Sequence, residues 1–364
     1  MTETPERADV VRMVAAVAPS WSVERIRPQD GGTDDVALLA VATPEGRREV
    51  VLKSFSGAGV PARVARSEPR LLGLLARETD VPVPEVVGFV DDHPDLPAPF
   101  FLAERLPGEE VGGRFFDLSA DALETLLADA GRYLAQLHDL RSFDRFGRVG
   151  VEPASTNGTD SEREVGGADS EREVGAEDGN LAVVGDRHGP RTRWADWLLA
   201  DAEETLDGLS GGRFDDLVPA LREYVEEAVP ALSGPETASL VHWDYRLGNL
   251  LADPETGETT GVLDWADLLA GDPAYNLATV EDHAIDWRTR DPVLRRRLRE
   301  AFRGAYRAGR SAEGEEFRER KRVAHLCNRL HAMACHPDWY ADADPAVRDE
   351  RAAEHRMFVR SYLD

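Results

Sequence analysis

Four residues in one segment have the types and spacing to do chemistry. In LVHWDYRLGNLLADPETGETTGVLDWADLLAGDPAYNLA, residues 240 to 278, His242, Asp244 and Asn249 follow the spacing H-x-D-x4-N, and Asp264 opens a D-W pair. LLAD and TTGVLD read as two short strands around the turn PETGE. Such a hairpin returns the chain to where it began and delivers Asp264 beside Asn249 and Asp244. Two carboxylates and an amide oxygen then converge, a hard-oxygen set suited to Mg2+ that draws its other ligands from water and phosphate. Asp and Asn next to turns also cap and bond locally. The spacing alone is therefore a weak signal, and the hairpin with its terminal D-W strengthens it.

A second signal lies in REVVLKSF, residues 48 to 55. Lys53 and Lys321 are the only lysines among 43 basic residues. Period-two alternation puts Val51 and Lys53 on one strand face. A compact ammonium on a flexible stem meets phosphate oxygens as a point charge, unlike a broad guanidinium fork. A lysine on an early strand, then H-x-D-x4-N, then an Asp after a hairpin is the protein-kinase order of parts. A surface lysine without a role is the plainer reading.

Other chemical patterns are weaker. Cys327, His331 and Cys335 in HLCNRLHAMACH fall four apart on one helix face, whereas zinc takes a tetrahedron of ligands usually drawn from separate elements. That segment reads as a packed helix, with acceptor-pocket lining as its functional alternative. GLSGG, residues 208 to 212, fits a nucleophile elbow only in letters, because a helix rather than a strand precedes Ser210. Neither HExxH nor GxGxxG occurs.

The elements that must position these residues form an α+β chain. A helix is expected around Val10 to Val17. Residues 20 to 106 read as three strands (WSVERIRP, VALLAVAT, REVVLKSF), a helix (EPRLLGLLARE) and two more strands. The helix has Ser67 as a cap and Pro69 in its first turn. From PGEE onward helices dominate: one after the cap Ser119, others at about 194–209 and 214–229, and a nearly all-helical tail from 292. Residues 240 to 264 are the β-like exception. Residues 155 to 190 repeat DSEREVG at 160–166 and 169–175, with too few apolar residues to order themselves, and are expected to form a mobile, solvated loop.

Composition sets limits. The formal net charge of −26 over 364 residues repels nucleic acid and anionic lipid, so neither is an expected partner. No run reaches the roughly 18 apolar residues of a membrane span, and the start MTETPERADV lacks the basic and apolar regions of a secretory signal. Two cysteines make no disulfide framework. A soluble cytoplasmic protein is expected. Acid excess with almost no lysine points to a salt-in halophile, where at about 1 M salt the Debye length of about 3 Å relieves the self-repulsion.

HWDYRLGNLL followed by VLDWADLLAGDPAYNLA resembles the signature HGD-x4-N…DW…GDP-x-x-D-L of the aminoglycoside phosphotransferase/choline kinase-like family. GGTDDVALLAV resembles that family's glycine-turn hairpin, VPVPEVVG its fourth strand, and FFLAERLPGEE its interlobe hinge, so the likeness runs from about residue 20 to at least 280. The resemblance implies a bilobal, protein-kinase-like fold. Its small antiparallel N-lobe would cover residues 1–106, with a hinge near 104–108, and its larger, mostly helical C-lobe residues 107–364. It implies ATP and Mg2+ as cofactors and a small-molecule hydroxyl as the phosphoryl acceptor. Asp244 would be the catalytic base or orienter, His242 would hold the catalytic loop, and Asn249 and Asp264 would bind Mg2+. Lys53 would contact the nucleotide phosphates, with Glu68 as its carboxylate partner. Gly31 and Gly32 would lie over the phosphates, Val51 over the adenine, and the backbone from Glu104 to Leu106 along the adenine edge. Glu281, Asp282 and Asp286 in EDHAIDW would meet a cationic acceptor, with solvated surface as the alternative.

Four departures bear on this. Trp243 stands where the signature has Gly, and Asn276 where it has Asp. Asp34 and Asp35 put negative charge in the phosphate loop. Pro69 disfavours α geometry at Glu68. The first three motivate a second reading, a kinase-like module that binds nucleotide or metabolite without turnover. A protein kinase is a third, but GDPAYNL follows Asp264 where an activation loop would stand.

Overall fold

The computed structural model describes residues 6–29, 35–55, 61–152, 181–185, 188–266, 268–312 and 314–363. Gly31, Gly32, Asp34 and the two DSEREVG copies lie outside them.

The apolar stripe near the start becomes helix α1 (Arg7–Val17), and the alternating runs after it become β1 (Ser22–Gln29), β2 (Asp35–Thr43) and β3 (Gly46–Ser54). Two helices, α2 (Ala62–Ala65) and α3 (Ser67–Glu78), precede β4 (Val86–Val90) and β5 (Phe100–Glu104). The strands form one antiparallel sheet in the order β1-β2-β3-β5-β4. Alternation along β3 turns Val50 and Leu52 toward α1, where Val10, Met13 and Val14 pack on them with Leu39, Val41 and Leu102. Val51 and Lys53 consequently share the other face. Leu71, Leu72, Leu74 and Leu75 bury one side of α3, and Pro69 falls in its first turn, where a missing N–H leaves no bond unmade. These elements make up most of a first compact unit, which spans Met1–Arg77, Val83–Leu106 and Val149–Val184.

The second unit holds the rest of the chain. Its first elements are β6 (Glu109–Glu110), α4 (Ala120–Leu140) and β7 (Ser142–Phe143). Ser119 caps α4 by accepting from the Ala122 amide at 3.1 Å, as its type predicts. Strand β8 (Gly147–Val151) follows; its last three residues pair with β9 (Leu181–Val183) and belong to the first unit. Then come α5 (Trp194–Leu209), α6 (Val218–Ala228), β10 (Ala238–His242), β11 (Leu250–Ala252), β12 (Thr259–Val262) and β13 (Leu268–Gly271). Four helices end the chain: α7 (Pro273–Val280), α8 (Pro292–Gly309), α9 (Glu315–Trp339) and α10 (Pro345–Leu363). A π-type turn, Glu281–Asp286, joins α7 to the segment before α8.

Strand β10 lies between β7 and β13 with antiparallel pairing, and β6 lies beside the β11–β12 hairpin. Helix α4 crosses α8 closely enough that a Cβ on Gly131 would meet the Phe302 carbonyl oxygen at 2.2 Å. No helix among the described residues is long and apolar enough to cross a membrane. Among the described residues the structure adds five short strands, β6 to β9 and β13, that periodicity did not reveal. One of them, Leu181–Val183, lies inside the range expected to be an unordered loop; three residues of moderate apolarity are held there by pairing with Val149–Val151.

Candidate active site

The H-x-D-x4-N residues are set by the end of β10, whose five residues are all buried. His242 is 3% exposed. Its backbone N–H donates to Asn276 Oδ1 at 3.0 Å, and Asn276 Nδ2 donates back to the His242 carbonyl at 2.6 Å. The ring Nε2 is 3.0 Å from the Leu263 carbonyl, an acceptor, so Nε2 carries the proton. Burial holds the imidazole pKa below its usual range, and the ring is neutral. His242 thus fastens the loop to the residue just before Asp264.

Asp244 follows two residues on, with a side chain 40% exposed. Asn249 Nδ2 donates to its backbone carbonyl at 2.9 Å and to its Oδ2 at 3.0 Å. Arg246 Nε lies 2.9 and 2.8 Å from the two carboxylate oxygens. Asn249 ends a 3-10 turn, Leu247–Asn249. Its carbonyl accepts from the Leu263 amide at 2.8 Å, and the register Leu250↔Val262 continues to place Asn249 opposite Leu263, with Asp264 next. The hairpin therefore brings the Asp264 position back to Asn249, as the spacing suggested.

Asp264 has φ 61°, the one left-handed non-glycine among the described residues. That conformation costs about 1–2 kcal/mol for a residue with a Cβ and persists only where the surroundings impose it. The buried Trp265 imposes it: its indole Nε1 donates to the Val262 carbonyl at 2.9 Å and its ring packs 4.5 Å from that of His242. The tryptophan of D-W is an anchor that turns the aspartate. Asn249 Oδ1 accepts no hydrogen bond among the described residues, and no group of three His, Cys, Asp or Glu side chains there is placed to hold a metal alone. An amide oxygen beside a carboxylate position fits a hard cation that completes its shell with water and phosphate.

The two substitutions in the signature are accommodated by their neighbours. Asn276 Oδ1 also receives His138 Nε2 at 3.1 Å, while His138 Nδ1 lies 2.8 Å from the Tyr306 hydroxyl. Nε2 donates and Nδ1 accepts, so His138 is a neutral imidazole; burial pushes its pKa down to about 3. An aspartate at 276 would offer no donor to the His242 carbonyl and would set a charge against His138. Trp243, in place of glycine, stacks on Tyr275 at 4.8 Å and 12°, with the rings of Trp197 and His331 edge-on at 5.5 and 5.4 Å. Its bulk belongs to an aromatic cluster next to Asp244.

In the first unit, Lys53 Nζ lies 2.9 Å from Glu68 Oε2, with the two side chains 9% and 4% exposed. Glu68 sits in the first turn of α3 despite Pro69. Val51 is half-buried on the same strand face as Lys53. The Glu104 amide donates to the Glu85 carbonyl at 2.8 Å, and the Leu106 amide and carbonyl bond to none of the described residues. Asp35 pairs across with Ser54 at the start of β2.

Glu281, Asp282 and Asp286 differ from expectation. Glu281 is buried and held by Arg303 and Lys321, each at 2.8 Å. Asp282, also buried, is held by Arg329, and Asp286 by Arg299 and, at 3.7 Å, Arg295. Guanidinium groups from α8 and α9 neutralise all three, and none stands open to a cationic acceptor. In α9, Cys327 is buried and His331 Nε2 meets Asp201 at 2.7 Å. Ser210 donates to the Leu206 carbonyl at 3.3 Å beside Gly211 at φ 73°, an interhelical turn. Residue-by-residue reading missed Arg246, His138 and Tyr275. Arg246 alone left a signal, as a cation inside the H-x-D-x4-N spacing.

The APH pattern, described as the phosphotransferase enzyme family, matches residues 26–322. Acyl-CoA dehydrogenase family member 10 of Mus musculus is 26% identical over 242 residues, covering 64% of this chain and 18% of that protein. Hygromycin-B 4-O-kinase of Escherichia coli is 29% identical over 93 residues, covering 25% of this chain and 27% of that protein. The chain thus spans about a quarter or less of the curated relatives it matches. A thermostable mutant of aminoglycoside phosphotransferase APH(4)-Ia superposes with TM-score 0.59 at 17% identity, over 95% of this chain and 98% of that one. Its ternary complex with AMP-PNP and hygromycin B gives 0.54 at 16%, over 98% and 97%. At these identities the likeness shows the fold, which is the protein-kinase-like one.

Proposed function

We propose that this chain, which belongs to the phosphotransferase enzyme family, moves the γ-phosphoryl group of ATP to a hydroxyl of a small molecule with the help of Mg2+. The carrying observation is the loop 242–264: a half-exposed Asp244 oriented by Asn249, and a strained Asp264 returned beside Asn249 by the hairpin. Phosphoryl transfer needs mostly positioning and charge neutralisation. Asp244 accepts or orients the proton of the acceptor hydroxyl. Arg246, half-exposed on the same carboxylate, is a cation at the point where negative charge builds up. Asn249 and Asp264 hold the magnesium ion, which when bound neutralises phosphate oxygens. Lys53, kept in place by Glu68, meets the nucleotide phosphates; Val51 covers the adenine, and the open backbone at Leu106 reads its edge. Gly31 and Gly32 cover the phosphates in this reading.

The AMP-PNP and hygromycin B complex of the structural relative supports a nucleotide and a hydroxyl-bearing acceptor. The carboxylates proposed from sequence to bind a cationic acceptor are internally paired, so polycationic antibiotics are not favoured over sugars or other metabolites. The net charge of −26 supports a halophilic setting. The test is an ATP-consumption screen over hydroxyl-bearing metabolites at molar salt with Mg2+. An acceptor-dependent release of ADP that Asp244→Ala abolishes is expected; full activity in that variant overturns the roles.

One observation favours the non-catalytic reading: Arg246 engages both oxygens of Asp244. Arg246→Ala separates the two. Turnover that appears only in the variant marks Arg246 as a block on a wild type that does not turn over, and slower turnover than an active wild type marks it as a participant in transfer.

A further inference from the structure

We propose that the second unit carries an oxyanion site between α8 and α9, built for a phosphate group and separate from the residues assigned above. A cavity of about 280 Å³ there is lined by Arg303, Arg307, Arg318 and Lys321, with Tyr306 and Phe317 among its less polar walls. Its volume lies at the lower edge of the roughly 300–1,000 Å³ of small-molecule sites. It suits inorganic phosphate or the phosphate end of a small phosphomonoester.

The charge balance makes the cavity distinctive. Acids outnumber bases 69 to 43 in this chain, and several exposed arginines of the second unit find carboxylates, among them Arg290 with Glu350, Arg297 with Asp121 and Arg356 with Asp216. Arg307 and Arg318 are exposed on this cavity and have no ion-pair partner among the described residues. The other two cations share one carboxylate, since Glu281 receives both Arg303 and Lys321 at 2.8 Å. Among the described residues, the only carboxylate hydrogen-bonded to any of the four cations that line the cavity is thus that of Glu281. The acids of α9 go elsewhere: Glu315, Glu316 and Glu319 line a different hollow with Tyr224 and Arg322. Guanidinium forks give a phosphate paired, charge-assisted hydrogen bonds, and the ammonium adds a point charge. Lys321, the second of the two lysines, is thereby placed in an anion site as well.

The test is isothermal titration of the full chain, free of nucleotide, with sodium phosphate and separately with glycerol phosphate. Titration with sodium chloride at matched ionic strength is the reference. Wild type, Lys53→Ala, Arg307→Ala/Arg318→Ala and Arg307→Lys/Arg318→Lys are compared. Both arginines are exposed and have no ion-pair partner among the described residues, so the double variants are expected to keep the wild-type circular dichroism melt. Phosphate is expected to bind wild type and Lys53→Ala alike. The alanine pair is expected to bind about tenfold or more weakly, and the lysine pair at an intermediate level. Tighter binding of glycerol phosphate identifies a phosphomonoester as the source of the group, and tighter binding of phosphate the inorganic ion. The proposal is overturned if neither ligand gives heat beyond matched chloride, if the alanine pair binds as wild type does, or if Lys53→Ala alone removes the binding. None of these outcomes depends on the phosphotransferase reading.

Discussion

Two acidic segments of the second unit, one strand and one helix apart, have opposite fates. In the segment 242–264, Asp244 is 40% exposed and Asp264 is twisted to φ 61°. In the turn 281–286, Glu281 and Asp282 are buried and all three carboxylates lie on arginines. The first segment leaves one aspartate half-exposed and holds the other in a strained backbone; the second spends its charge on joining α7 to α8 and α9. Acid content alone does not mark a ligand site. What separates them is the ratio of cations to carboxylates and whether strain holds a side chain out of a relaxed position.

The comparison is broken most strongly from the turn. Asp282→Ala leaves Arg329, 3% exposed, without its carboxylate. A buried pair cut on one side loses about 3–5 kcal/mol of stability, so chemical denaturation is expected to show that drop while residual folded protein keeps its turnover. Loss of turnover with unchanged stability would make Asp282 a functional acid after all. The Lys53–Glu68 pair is also buried, and its proposed task is to meet the nucleotide phosphates. Lys53→Met is expected to cost on the order of 10²-fold in kcat/KM for ATP. Unchanged kinetics would reduce that pair to a structural one.

The smallest effect sharpens the support behind the loop. His138 is neutral in the fold, with its pKa pushed down to about 3 from an ordinary 6.5. A depressed folded value means this contribution is fully present above pH 6.5 and lost as pH falls from there toward 3, at about 1.4 kcal/mol per pH unit. Asn276→Asp gives His138 an anionic partner and raises its folded value. Between pH 6.5 and 4.5 the variant is expected to lose stability less steeply than wild type. At pH 7 it is expected to be about 1 kcal/mol weaker for want of the donor to the His242 carbonyl. Equal slopes in denaturant unfolding would show that His138 does not titrate as described.

What the sequence made legible was local. Strand alternation put Val51 and Lys53 on one face, Ser119 announced α4, and the hairpin around PETGE fixed the Asn249–Asp264 neighbourhood through its register. What stayed hidden was long-range. The arginines that neutralise Glu281 and Asp282 lie 22 and 47 residues further along, and no window on EDHAIDW contains them. His138 is 138 residues from Asn276. Strands β6 to β9 span two to five residues each, too short for a period to be counted, and are set by their partners. Trp243 read as an anomaly because Tyr275 and Trp197, which accommodate it, come from α7 and α5.

The central assignment is tested most directly by single-turnover transfer in Asp244→Asn, which preserves the shape of the side chain and removes its charge. With an accepted hydroxyl substrate and saturating ATP at molar salt, ATP is expected to bind with unchanged Kd while the rate of phosphoryl transfer falls by about 10² to 10⁴-fold. Transfer at the wild-type rate would contradict Asp244 as the residue that handles the acceptor hydroxyl.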